Sequence, residues 1–155
     1  MIKYISKFAL LILLASIIIL LVTENFLSES PFIIIGQLLC VGFSIWARRS
    51  FQKNQFSIHA EPSNGLLLTI GPYKYVRHPM YTSALFLVWI SIAVHLSIFT
   101  ISIAVIVTTV IAIRIFSEEQ LLSLRFSDYQ NYRLKTKTII PFLYWWFYYK
   151  ILNRN

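Results

Sequence analysis

The chain has 155 residues, of which 57% are hydrophobic and 13% charged. That balance excludes an ordinary soluble domain and points to a membrane protein, and the length leaves room for a single domain. Fourteen Lys and Arg against six Asp and Glu give a formal charge of +8, whose meaning depends on where the charges sit. The lone cysteine, Cys40, lies in an apolar run, which excludes a disulfide framework and a cysteine metal site and leaves packing as its role.

Lys3 and Lys7 precede an apolar run that ends at Val22, and residues 5–22 are about long enough to cross a bilayer core. The following VTENF contains no small-x-small cleavage site, so the segment reads as a retained helix rather than a signal peptide. A short loop, Thr23 to Ser30, carries Glu24 and Glu29 but no Lys or Arg. Pro31 opens a second span over residues 31–47, which ends against Arg48 and Arg49. From Arg48 to His78 the chain is polar, with turn signals at Asn64-Gly65 and Gly71-Pro72 and a short apolar piece, Leu66 to Ile70, assigned to the membrane interface.

Met80 to Phe116 is apolar except for His95 and Arg114. At about 1.5 Å per residue it is too long for one crossing of a core of about 30 Å. It therefore reads as a helical hairpin, with spans over 80–94 and 98–116 and a turn near His95 to Ser97, where His95 serves as a polar turn residue. Ser117 to Arg133 mixes Leu121, Leu122, Leu124, Phe126 and Tyr129 with charges, the pattern of a helix running out along the membrane surface. The aromatic tail around Pro141 reads as an interfacial belt, with a fifth crossing as the lesser alternative. The expected fold is all-α: a polytopic membrane helical bundle of four transmembrane helices, or five if the tail crosses, plus a cytoplasmic interfacial helix, in one domain over 1–155.

With four spans, every Lys and Arg falls on one side of the membrane, as the positive-inside rule requires of a cytoplasmic face, so both termini are expected there. The basic excess is then topology. No basic helix or aromatic-basic motif calls for nucleic acid.

Two polar clusters stand out on that face. The first is Gly71 to Tyr81, GPYKYVRHPMY. Pro79 suits the first position of a helix and pushes His78 towards an extended conformation at the N-cap. The first N–H groups of such a helix lack partners and carry the positive end of its dipole, and Lys74 and Arg77 add charge, so a carboxylate or phosphate is welcome there. The same residues also suit plain anchoring at headgroup level. The second cluster is Glu118 and Glu119, with Arg114 one turn before Glu118 at i,i+4 spacing. It reads either as an ion pair marking the membrane exit or as acids facing a polar cavity, able to hold an ammonium or ribose hydroxyls. The shared side of the two clusters favours the cavity.

Taken in order, GPYKYVRHPMY, a hairpin, EEQLL, FSDYQNY and IIPFL, the chain from about Leu66 to Leu143 resembles the isoprenylcysteine carboxyl methyltransferase family and the related phospholipid methyltransferases. These are small integral membrane enzymes that use S-adenosylmethionine. The resemblance implies a cytoplasmic cofactor site built from residues 66–81 and 114–143. Tyr73, Arg77, His78, Pro79 and Tyr81 match the family's cofactor-binding motif, and Glu118 and Glu119 its acidic pair. Arg114 and Glu118 correspond to an Arg and a Glu near the reacting groups, while Tyr129 and Tyr132, with Pro141, match the closing segment and are assigned with Arg114 to the substrate. Ser83 and Ser127 stand where the family usually has Gly.

The implied activity is methyl transfer to a lipid or prenylated acceptor at the bilayer edge, with no metal and no nucleic acid. Arg114 beside the acids suits an acceptor carboxylate, which needs no general base. The alternatives are N-methylation of a phospholipid amine, a membrane reductase using a nicotinamide cofactor, and a non-catalytic scaffold.

Overall fold

The computed structural model describes residues 2–51 and 67–139, with side chains from Phe8 onward. Among the described residues there are five α-helices and no strand: α1 (Ile2–Val22), α2 (Pro31–Arg49), α3 (Pro79–Ile92), α4 (Ile98–Arg125) and α5 (Tyr129–Lys135), with a single 3-10 turn at Gly71–Lys74. The helix starts follow local chemistry. Pro31 and Pro79 each sit in the first turn, where a missing N–H costs nothing. Ser97 and Thr100 close a reciprocal capping box on α4, with Thr100 N donating to Ser97 Oγ at 3.1 Å and Ser97 N to Thr100 Oγ1 at 3.0 Å. The α3–α4 turn falls where His95 to Ser97 marks it, and His95 Nε2 lies 3.2 Å from the Leu27 carbonyl of the α1–α2 loop.

Two helices, α2 and α4, are long and apolar enough to cross a membrane; the apolar Phe8–Val22 part of α1 and the 14-residue α3 are shorter. Past Phe116 one expectation changes. A single helix from Ser117 to Arg133 does not form: α4 runs straight on to Arg125, the chain extends at Phe126 (φ −113°, ψ 117°), and α5 starts after Asp128. Ser127 and Asp128 compete with helical backbone bonds through their short polar side chains, which favours a break here.

The helices pack α1 on α4, α4 on α3 and α3 on α2. Ile103, Val107, Ile111 and Ile115 recur every fourth residue along one stripe of α4 and meet Leu20 of α1 and Val88 and Ile92 of α3. Outward faces carry exposed Leu11, Ile18, Phe32, Leu38, Leu39 and Ile106, a surface suited to lipid rather than water. Between α2 and α3 a buried Gln37 donates to Ser91 Oγ at 2.9 Å and to the Phe26 carbonyl at 2.8 Å, a polar tie inside an apolar interface. At the opposite end of the bundle, Gly71 takes φ +59°, and a Cβ there would stand 2.2 Å from Ser50 Oγ at the end of α2. A side chain at this turn would meet both a left-handed backbone and the end of α2, which favours glycine.

Candidate active site

After the Gly71–Lys74 turn the chain runs extended beside the segment that follows α5. Lys137 N donates to Tyr75 O at 3.0 Å, Arg77 N to Lys137 O at 2.7 Å and His78 N to Thr138 O at 3.2 Å, around a parallel bridge between Val76 and Lys137. Residues 136–139 therefore form a strap across the start of α3. His78, at the N-cap of α3, makes no side-chain capping bond. Its ring turns instead towards α4.

There the two polar motifs meet. His78 Nδ1 lies 3.6 Å from Glu118 Oε2 and Nε2 lies 3.4 Å from Glu119 Oε1. Tyr81, one turn into α3, stacks on the His78 ring at 5.7 Å and donates its hydroxyl hydrogen to Glu118. Arg114 donates to the Tyr81 hydroxyl and to Glu118 Oε1 at 3.3 Å, with its guanidinium 5.3 Å from the centre of the Tyr81 ring. Arg77 donates to Glu119 Oε1 at 2.8 Å. All of these charged side chains are at most 18% exposed. The cluster sits just past the apolar part of α4.

Burial there is strong enough to matter for protonation. It pulls His78 down, but the two carboxylates beside the ring outweigh it and hold the imidazole above its ordinary 6.5. Burial likewise pushes Glu119 up, and His78 and Arg77 overcome that, holding its carboxyl at about 2. The centre is an imidazole set between two carboxylates, which favours its protonated form.

The sequence model of a family described as phospholipid methyltransferase matches residues 30–129. The chain belongs to the phospholipid methyltransferase family. No curated protein and no solved structure matches it. The match runs from the residue before α2 to the first residue of α5, so it takes in both polar clusters, while α1 and the strap lie outside it. Membership makes the chain a membrane methyltransferase acting on lipid.

The other residues singled out in the sequence are placed around this cluster. Tyr73 is buried edge-on against Phe51, its ring 5.4 Å away, and its carbonyl accepts from the Tyr132 hydroxyl at 2.7 Å. Pro79 is fully buried, as is Tyr129, whose hydroxyl has no hydrogen-bond partner among the described residues. Lys74 does not join the cluster; it is exposed, its Nζ 5.9 Å from the Tyr75 ring. Ser83 is buried and returns its hydroxyl to the Pro79 carbonyl at 2.9 Å, so it occupies the helix contact without opening it. Ser127 is exposed in the break before α5, and Pro141 lies outside the described residues.

Thr82, Thr136 and Thr138 escaped the sequence reading. Thr82 Oγ1 donates to the Ile139 carbonyl at 3.0 Å, Thr136 O accepts from Arg77 at 2.6 Å, and Thr138 Oγ1 accepts from Arg77 at 2.6 Å. The available signal was the alternation Thr136, Lys137, Thr138, Ile139, whose β-branched residues suit extended chain.

Proposed function

We propose that this family member transfers a methyl group from S-adenosylmethionine to a lipid headgroup at the cytoplasmic edge of the bilayer, with α1 to α4 as four spans. The observation that carries this reading is the convergence of His78, Tyr81, Arg114, Glu118 and Glu119 in one mostly buried cluster where α3 begins and the apolar stripe of α4 ends. The chain's residues fit the donor. Glu118 and Glu119 offer carboxylates to its ammonium, and the start of α3, which lacks a side-chain cap, offers N–H groups to its carboxylate. The buried Tyr129 hydroxyl, without a hydrogen-bond partner among the described residues, supports a further polar contact there. When bound, the donor supplies a methyl group on a positively charged sulfur.

Transfer of that methyl group to an acceptor's lone pair would need no covalent help from the chain. The protein's part is to align the two groups and exclude water. Tyr73, Pro79 and Tyr132 shape the wall behind the cluster. The family's description as phospholipid methyltransferase favours a phospholipid amine as acceptor. The second reading, a lipid-tailed or prenylated carboxylate, would place the acceptor against the guanidinium of Arg114, whose Nε donates to Glu118 and Tyr81.

Membranes containing the protein, incubated with methyl-labelled S-adenosylmethionine, should yield a labelled lipid identifiable by mass spectrometry. An amine with a reference pKa near 10 must lose a proton before it reacts, so its rate should rise up to about tenfold per pH unit between about pH 6 and 9. A carboxylate acceptor gives a flat profile over the same range. No labelled product, together with binding of a nicotinamide cofactor, would replace the methyltransferase reading by a reductase.

A further inference from the structure

We infer that Arg77 is a positioning residue: a latch that holds the strap, residues 136–139, across the start of α3, and not a contact to the donor. Its guanidinium points away from a ligand role. Nε donates to Glu119 at 2.8 Å, one terminal nitrogen to the carbonyls of Arg133 at 3.1 Å and Thr136 at 2.6 Å, and the other to Thr138 Oγ1 at 2.6 Å. The side chain is 7% exposed. A planar fork of fixed donors matches this spread of carboxylate, carbonyls and hydroxyl as an ammonium cannot.

The partners show what is latched. Arg133 is in the last turn of α5, Thr136 follows α5 directly, and Thr138 lies in the strap. One cation therefore joins the end of α5 and the strap to α4 through Glu119, while its own backbone N–H pairs with Lys137. Because α5 carries Tyr129 and Tyr132, holding the strap sets both tyrosines against the cluster, Tyr132 by its bond to the Tyr73 carbonyl. A chain held closed only part of the time binds a ligand under it more weakly by the closed fraction.

The effect on donor binding rests on the reading proposed above; the latch itself does not. Two measurements on the full chain in detergent, with Cys40→Ala as background, separate them. Hydrogen exchange of the amides of Arg77, His78 and Lys137 reads the strap. Calorimetry with S-adenosylmethionine reads binding. Arg77→Ala should speed that exchange and weaken binding about tenfold, as expected for lost charge-assisted bonds. Arg77→Lys should fail to restore either. Where Arg77→Ala does not fold, Thr138→Val should move both readouts the same way by a smaller factor.

A cysteine pair made by Val76→Cys and Lys137→Cys, neighbours across the parallel bridge, should on oxidation restore slow exchange and bring binding in the Arg77→Ala protein to within about threefold of the same pair carrying Arg77. Unchanged exchange in Arg77→Ala overturns the latch. So does exchange restored by the cross-link without recovery of binding, since Arg77 would then touch the ligand. If the parent protein binds no S-adenosylmethionine while exchange responds as described, the donor reading fails and the latch stands.

Discussion

His78 is the residue through which the two halves of the site meet, and its protonation links them. Its folded pKa lies above the unfolded 6.5, so the native state holds the proton more tightly than the unfolded chain does. The contribution of its ion pairs is therefore complete below about pH 6.5 and lost as pH rises through the folded value. Glu119 works from the other side. With its carboxyl held at about 2, its contribution is present above the unfolded 4.5 and lost as pH falls towards 2. The difference in thermal unfolding temperature between wild type and His78→Gln in detergent should thus be largest between about pH 4.5 and 6.5 and shrink towards both extremes. A difference that grew above pH 8 would mean that the imidazole is buried neutral. Glu118→Gln keeps size and hydrogen-bonding capacity but removes the charge facing His78 and Arg114. Methyl transfer should fall by at least about tenfold, while Glu24→Gln, on an exposed loop at the other end of the bundle, should leave the rate unchanged.

At the scale of elements, the Gly71–Lys74 turn decides whether the first motif reaches α4. Gly71→Ala meets two obstacles, a left-handed backbone and a Cβ 2.2 Å from Ser50 Oγ. Loss of stability of about 1–3 kcal/mol is expected, read as a lowered unfolding midpoint. Ser50→Gly in the same chain should recover only the steric share, because the φ of +59° remains unfavourable to alanine. Full recovery would show that the backbone conformation costs nothing.

The helices were legible because their ends carry local signals: Pro31, Pro79, the Ser97 cap, and Arg48 and Arg49 closing α2. The candidate site's members were marked by the family resemblance of GPYKYVRHPMY and EEQLL, whose chemistry alone also suited headgroup anchoring and a membrane-exit ion pair. What could not be read was its wiring. Arg77 and Thr138 are 61 residues apart, and no periodicity pairs an extended tripeptide with another that distant. Nor did the spacing of Arg114 and Glu118 reveal that Tyr81, from another helix, bonds to both.

At the scale of the whole molecule, function depends on which side of the membrane the cluster faces. α4 has 28 residues and is about 42 Å long, more than a core of about 30 Å requires, so a crossing by its apolar part would leave its polar last turns beyond the bilayer. The 14-residue α3 is about 21 Å long, so in the proposed four-span order the turn from Ala93 to Ser97 would supply the rest of its crossing. The charge pattern supports the proposed orientation, since Arg48, Arg49, Lys74, Arg77, Arg125 and Arg133 all lie at the end that carries the cluster, while the α1–α2 loop and the α3–α4 turn hold no Lys or Arg. In a Cys40→Ala background, single cysteines at Ser28 and Leu96 should react with an impermeant thiol reagent from outside the cell, and cysteines at Lys74 and Leu134 only after the membrane is opened. Because Ser28 follows α1 and Lys74 follows α2, labelling of both from the same side would mean that α2 does not cross. The proposed four-span order would then fail, and with it the proposed cytoplasmic placement of the site.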